Sequence, residues 1–358
     1  MKNPWKCVVV TWLFRTDLAN LNAGEGSSNL KEIKTYRNGL PYISGQSVRH
    51  ALRKAIQREH PDAYKCTVEY PCGNIKDCWL CDIFGYLLPG EGAKRWSAVK
   101  VSPAMGQVRR PVATDLILRL VNDIECPNCH KKINPLFGRE AGKKDIDQGS
   151  KLKCPECNKD FEAPYAIRQA IAYKQLIENT YRVALTIDLN ALGVEEVPII
   201  KTETGKKPEI DGIKYDNKYG DNNENERSKR ASAILTGIAN LSDFASQSRE
   251  MTNASPDFVI ISLQKQYNQR LSSALQMDES EKIDVERFKG IINDCLQLPE
   301  TKIFAGAIPK AFSNEDDIID ILKSTEFNGT VTIEETKDKL FTPREALMKA
   351  ITELQVGK

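Results

Sequence analysis

Two Cys-Pro-x-Cys pairs, Cys126-Pro-Asn-Cys129 and Cys154-Pro-Glu-Cys157, stand 24 residues apart and constrain this chain more than any other feature of it. A two-residue gap lets both thiolates of a pair reach one ion, and two such pairs close a tetrahedron around it. A four-thiolate site keeps no open position, so the expected metal, zinc, is structural. It would hold together an insertion too small to build a core of its own. The competing reading, a redox Cys-x-x-Cys, normally occurs singly and within a different fold pattern. His130, beside Cys129, is an alternative ligand. The insertion, residues 123–162, is rich in basic residues (Lys131, Lys132, Arg139, Lys143, Lys144, Lys151, Lys153), which suits contact with a nucleic acid or another subunit.

The chain holds ten cysteines in its 358 residues. Cys7 and Cys295 stand alone, and Cys66-x5-Cys72-x5-Cys78-x2-Cys81 forms a second, less regular cluster. Two readings of that cluster stay open. It is either a second metal site, or Cys78 and Cys81 are small buried apolar groups packed near Trp79, Phe84 and Tyr86. The opening stretch Met1–Phe14 is only briefly apolar and has no small-residue cleavage site, which reads against a secretory signal. No run of 18 apolar residues exists, so no membrane span is expected and the cytoplasm is the expected compartment. There, metal binding is a better use of clustered cysteines than a disulfide framework.

Lys and Arg number 51 against 49 Asp and Glu, a formal charge of +2. That argues against a uniformly basic surface and leaves local patches open. Two segments are locally basic. From Arg37 to His60 there are five Arg or Lys residues and one Glu. Asn38-Gly39 and Pro41 mark a turn there, and Ser44-Gly45 opens a helix with Val48, Ala51, Leu52, Ala55 and Ile56 as its buried stripe. Amide groups at a helix start attract phosphate, and Ser44, Gly45, Gln46 and Ser47 lie at that start. Arg49 and Arg53 follow at a spacing of four, beside the row His50, Lys54, Arg58. From Lys94 to Arg110 there are five basic residues and no acid, with Trp96 and Met105 interleaved. Cations that track a backbone, beside groups on which bases stack, make a single-strand groove. The bland alternative for the helix is a solvated amphipathic face.

Elsewhere, strands are expected at Lys6–Phe14, Ser97–Ser102, Val112–Val121, Tyr181–Asn190, Phe258–Leu263 and Thr330–Glu334. Helices are expected at Ala231–Arg249, Lys282–Leu298 and Pro343–Leu354, the last with Pro at its first position. Cys66–Gly90 reads as a compact irregular loop and Asn20–Asn29 as a surface loop rather than a phosphate cradle. Lys201–Arg230 has eight basic and seven acidic residues and few apolar ones, so it reads as a solvated, mobile loop. The interleaved order suits an α+β, split βαβ ferredoxin-like core with insertions better than a doubly wound sheet. No HExxH, GxSxG or P-loop is present. Asp17, after the first strand, is the one acid that could face a bound strand, and its ordinary reading is a turn residue.

Three elements together resemble the Cas seven superfamily, the backbone subunits of CRISPR interference complexes. They are YISGQSVRHALRKAI after an apolar first strand, CWLCDIFG at Cys78–Gly85, and GQVRRPV at Gly106–Val112. The chain is most similar to the DevR autoregulator branch of type I-B Cascade, with further likeness in Gly237–Ile260. The resemblance implies a modified RRM-like palm with helical fingers and a thumb, here carrying a zinc ribbon. It divides the chain into residues 1–122 (first part of the palm with the basic helix and Cys-rich fingers), 123–162 (zinc ribbon), 163–200 (palm strands), 201–230 (charged loop, a candidate thumb) and 231–358 (remaining palm and terminal helices). It implies a non-catalytic subunit that binds guide RNA, stacks head to tail with copies of itself, works beside a large subunit and guide-capping subunits, and presents the guide to target DNA. Ser44, Gln46, Ser47, Arg49, Arg53 and Lys54 become guide-backbone contacts, and His50, Arg58, Lys100, Arg109 and Arg110 lie along the expected RNA path. Related type III subunits cut RNA with an exposed Asp. The glycine-rich context for that is missing around Asp17, so no nuclease activity is expected. Two other functions compete: a type III-like target-RNA endoribonuclease, and a zinc-ribbon regulator that binds duplex DNA.

Overall fold

The strand Cys7–Ala19 (β1) explains most of the architecture, because its first eight residues, Cys7 to Phe14, are buried on both faces. Val8, Val10, Trp12 and Phe14 enter one core cluster, while Cys7, Val9 and Leu13 enter another. Alternate side chains point to opposite faces of a strand, so an unbroken apolar run requires cover above and below. The computed structural model describes residues 4–22, 30–119, 123–135, 145–168, 170–202, 207, 209–220, 223–245, 250–324, 331–332 and 340–356.

Two units emerge, one of residues 1–23, 34–111 and 177–358, the other of residues 24–33 and 112–176. In the first, β1 pairs antiparallel with the strand Ala170–Asp188 (β2), from Cys7 opposite Asp188 to Thr16 opposite Asn179. On its other side β1 pairs antiparallel with Phe258–Gln264, and that strand pairs antiparallel with Lys302–Ala307. Beyond β2 the sheet continues through Ala104–Gly106 and Leu40–Ile43, and Val99–Val101 also pairs with β2. Helix Gly45–Glu59 (α1), helix Asn223–Ala239 (α3) and helix Pro343–Val356 (α6) supply Leu52, Ile56, Ile234, Ile238, Leu347 and Ile351 to the cluster on one face. Between α1 and α3 in sequence, Trp79–Phe84 forms a short helix (α2), buried throughout. Helices Val285–Leu296 (α4) and Glu315–Lys323 (α5) cover the opposite face with Phe288, Ile292, Ile318 and Leu322. Each such fully buried side chain stabilises by roughly 1.5–3 kcal/mol. Thr11 is a buried polar member of β1, and its hydroxyl donates to the Leu271 carbonyl at 2.9 Å, so its burial leaves no unmet donor.

The architecture is mixed α and β around a large antiparallel sheet. Strand β2 starts at Ala170, well before the expected Tyr181. The expected mobile loop at 201–230 is a correction. Val194–Lys201 (β3) and Glu209–Asn217 (β4) pair as a two-stranded antiparallel ribbon, and α3 then begins at Asn223. The ribbon is exposed on both faces, so no buried stripe marked it in the sequence. The Cys66–Gly90 segment is likewise not loop throughout: it contains α2 and the hairpin strand Tyr86–Leu88, paired with Ala93–Arg95. Residues 23–29 of the first loop and 246–249 of the expected Ala231–Arg249 helix lie outside the described residues, as do Arg139, Lys143 and Lys144 of the insertion.

In the second unit Ala113–Arg119 pairs antiparallel with residues 170–176 of β2. Two further hairpins, Ile124–Glu125 with Lys132–Ile133 and Lys151–Lys153 with Asp160–Glu162, each carry one Cys-Pro-x-Cys pair. The unit is wider than the expected 123–162 and its apolar core is small: Ile124, Ile133, Ile146, Leu152, Ala163 and Ile167 pack with Cys126 and Cys154.

Candidate nucleic-acid interface and cysteine clusters

Helix α1 starts as its sequence requires. Ser44 is the N-cap and its Oγ accepts from the Ser47 amide at 3.2 Å. Asn22 fixes the approach: its Oδ1 accepts from the Ser44 amide at 2.9 Å and its Nδ2 donates to the Tyr42 carbonyl at 2.9 Å. Ser47 Oγ donates to the Leu21 carbonyl at 2.6 Å. Gly45 is not forced by close packing, since an added Cβ would meet its nearest neighbour, the Val101 carbonyl oxygen, at an ordinary 3.5 Å.

The cations of α1 divide into two kinds. Gln46, His50, Lys54 and Arg58 form one exposed row. Arg58 pairs with Asp243 and donates to Ser242 Oγ at 2.8 Å. Arg49 turns inward, donating to the carbonyls of Phe84 at 2.8 Å and Val99 at 3.1 Å and to Ser97 Oγ at 3.3 Å. Arg49 and Arg53 both stack over the Phe84 ring, at 5.4 and 5.6 Å from its centre. Burial, with Arg53 and Lys54 nearby, pushes the His50 imidazole below its usual value.

The second basic segment is engaged with partners of its own. Lys100 lies 4.7 Å over the Tyr267 ring and donates to its hydroxyl at 2.6 Å. Arg109 pairs with Glu279 at 2.7 Å and Arg110 with Glu281 at 2.5 Å. Arg109 Nε also donates to the Asn38 carbonyl at 3.3 Å, which places it by the turn before Leu40–Ile43. That strand leads into Ser44, so the two basic segments flank one strand about 13 Å long.

A third group went unnoticed in the sequence. Arg182, on β2 opposite Met105, has a buried Nη1 with no hydrogen-bond partner among the described residues. Burial lowers its guanidinium pKa, Tyr36 opposes, and Arg287 and Arg37 push it further down. Tyr36 itself donates to the Gly106 carbonyl at 2.8 Å. Arg182 thus lies within electrostatic reach of Arg37 and Arg287, next to the GQVRRPV segment. The available signal was Arg182 itself, a cation set among the alternating apolar residues Tyr181, Val183 and Leu185 of a core strand. Asp17 is an exposed residue of β1 whose amide donates to Thr252 Oγ1 at 2.9 Å.

Both cysteine clusters could hold a metal ion, since in each the four sulfurs lie within 4.8 Å of one another. A tetrahedron with metal–sulfur bonds of about 2.3 Å sets sulfurs about 3.8 Å apart. Cys126 to Cys157 is 3.8 Å and Cys129 to Cys154 is 3.7 Å. The two knuckles repeat one backbone pattern. The His130 amide donates to the Cys126 carbonyl at 2.9 Å, and the Asn158 amide to the Cys154 carbonyl at 2.9 Å. Both His130 and Asn158 have left-handed backbone, with φ of 59° and 58°. His130 does not join the sulfurs: its Nδ1 lies 2.8 Å from Glu125 Oε1. In the other cluster Cys66 lies 3.4 Å from Cys78 and from Cys81, and Cys72 lies 3.7 Å from Cys81. Neighbouring Cys81 holds the Cys78 thiol well below its ordinary range, and Cys78 in turn drives the Cys81 thiol up.

Asp82, the residue after Cys81, is a second feature that sequence reading missed. It is fully buried, and its Oδ1 accepts from Arg95 at 2.7 Å and from the Gly193 amide at 2.9 Å. Its Oδ2 accepts from Arg230 at 2.7 Å and from the Tyr219 hydroxyl. Arg230, also fully buried, donates in addition to the Ile75 carbonyl at 2.9 Å.

Residues 10–110 match the family model of the CRISPR-associated negative auto-regulator DevR/Csa2, which bears out the resemblance read from the motifs. Among solved structures, a chain of a "CRISPR RNA-guided surveillance complex, pre-nicking" superposes with a TM-score of 0.50 at 10% identity, covering 97% of this chain and 100% of that one. A chain of another "CRISPR RNA-guided surveillance complex" gives 0.46 at 13% identity, covering 96% and 99%. No curated protein matches the chain. Among the described residues no helix is long and apolar enough to cross a membrane.

Proposed function

We propose that this chain is a guide-RNA-binding backbone subunit of a CRISPR interference complex, which continues along the RNA through copies of itself and presents it for pairing with target DNA. The observation that carries the reading is the extent of the family match. Residues 10–110 contain every side chain from Ser44 to Arg110 that the sequence nominates for RNA. A chain of an RNA-guided complex supplies a similar fold over nearly the whole length. In this reading the sheet and its helices are the RRM-like palm, the segment around α2 belongs to the fingers, and the β3–β4 ribbon is the thumb. The insertion is a zinc ribbon, because four thiolates in a tetrahedron suit zinc. Companion subunits cap the guide and read the target.

The exposed row Gln46, His50, Lys54 and the cluster Arg37, Arg182, Arg287 are the first choices for phosphate contact. Arg109 and Arg110 can join them, since an exposed ion pair is worth only about 0–1 kcal/mol and phosphate can displace the carboxylate. Arg49 acts as a positioning residue that fixes α1 against Phe84 and Val99. Phosphate contacts set the path of the strand, and base pairing reads its sequence, so the protein needs no base code. We assign the chain no chemistry. Asp17→Ala is expected to leave RNA integrity unchanged in the assembled complex, and loss of a cleavage product in that variant would favour the endoribonuclease reading.

Arg37→Ala combined with Arg182→Ala is expected to weaken RNA binding. It should also reduce the slope of log affinity against log salt by roughly 1.4, at about 0.7 per lost single-strand phosphate contact. A salt titration with labelled RNA measures both. Affinity and slope equal to the parent protein would remove these arginines from the interface. Purification after co-expression with a CRISPR array and its companion proteins is expected to yield RNA of defined length. Particles free of polynucleotide under those conditions would overturn the function.

A further inference from the structure

We infer that Cys66, Cys72, Cys78 and Cys81 hold a second metal ion of the thiophilic class, zinc by its ligand set, and that this ion fixes the start of α2 beneath α1. The sulfurs are too far apart for disulfides, the nearest pair being 3.4 Å apart against the roughly 2.05 Å of a bond. Their spacing approaches that of a tetrahedral site. Simple apolar packing of Cys78 and Cys81 does not account for the other two. Cys66 is half-buried and Cys72 exposed, yet both direct sulfur at the buried pair.

The backbone supports the same conclusion. The Lys65 amide donates to Cys78 Sγ at 3.3 Å. Such an outer hydrogen bond orients a metal-bound ligand and stabilises its charge. Gly73, directly after Cys72, has φ +69°, the conformation that His130 and Asn158 adopt directly after Cys129 and Cys157. A glycine meets that requirement without strain. Cys78 is the N-cap residue of α2 and Cys81 lies in its first turn, so one pair of ligands sits on a helix start.

The site has a structural reach beyond its ligands. Asp82 and Phe84 follow Cys81 on α2. The first gathers Arg95, Arg230 and Tyr219, and the second holds Arg49 of α1 through its carbonyl and ring. An ion that fixes α2 therefore sets both the buried charge group and the seat of the basic helix.

Metal counting on the whole chain tests the inference independently of RNA binding. Elemental analysis of the parent protein should find two equivalents of zinc, and Cys78→Ser with Cys81→Ser should lose one. If that variant does not fold, Cys126→Ser with Cys129→Ser decides, since its ribbon is disabled and the second cluster intact. It should retain one equivalent. After exchange for cobalt(II) it should show the ligand-field and thiolate-to-metal bands of a tetrahedral four-thiolate site. Hydrogen exchange should show residues 79–84 losing protection when that ion is chelated. A ribbon variant that keeps its β1 amides protected but binds no zinc and gives no cobalt spectrum would overturn the proposal. So would a parent protein with a single equivalent that the ribbon substitution removes.

Discussion

Replacing Cys126 and Cys129 with serine is expected to remove one equivalent of metal and to melt the segment 124–167, while the sheet around β1 stays folded. The second unit has only a small set of buried apolar groups, and two of its core members are ligand cysteines themselves. Segments of about 40 residues or fewer rarely bury enough surface to fold alone. Binding of structural zinc, on the order of 10–16 kcal/mol, supplies the missing stability. Hydrogen exchange read by mass spectrometry should show peptides from 124–135 and 145–167 exchanging fast while β1 peptides keep their protection. Elemental analysis on the same sample gives the metal. A full complement of metal, or unchanged protection in the ribbon, would refute the assignment.

Asp82→Ala is expected to destabilise the large unit by about 3–5 kcal/mol, the usual cost of removing one partner from a buried ion pair. The number is large because the cations left behind stay buried. Arg230 is 1% exposed and Arg95 is 7% exposed, and both lose the Asp82 carboxylate at once, with only Glu226, 3.9 Å away, left to Arg230. Tyr219 and the Gly193 amide lose an acceptor too. Burial and the neighbouring Asp82 carboxylate push the Tyr219 phenol well above its ordinary range, so it remains a donor at any working pH. Urea unfolding should show a lower midpoint with the slope unchanged. Pairing Asp82→Ala with Arg230→Met should recover part of the loss, because a buried ion pair can be replaced by apolar groups at little net cost. A loss under 1 kcal/mol in the single variant would mean that water reaches the site.

What the sequence disclosed and what it hid follow from the range of the interactions. The start and stripe of α1 were legible because a serine cap and a 3.6-residue repeat are local: Val48, Ala51, Leu52, Ala55 and Ile56 are all buried. The two Cys-Pro-x-Cys knuckles were legible for the same reason. Asp82 and Arg230 are 148 positions apart, and nothing near either one announces the other. The Arg37, Arg182 and Arg287 cluster is assembled from three distant segments in the same way. The ribbon of β3 and β4 escaped for another cause. A strand shows itself by alternation only when one face is buried, and here both faces meet solvent.

That ribbon also bears on how the isolated chain behaves at high concentration. Among the described residues its strands pair only with each other, so each has an outer edge that no further strand covers. Val197, Ile199, Ile200, Ile210, Ile213 and Tyr215 are exposed along it. Such an edge is a template for sticking to another molecule. The intervening Glu195, Glu196, Lys201, Glu209, Asp211 and Lys214 are the gatekeepers that oppose it. The charge on this exposed ribbon therefore bears directly on the colloidal solubility of the chain.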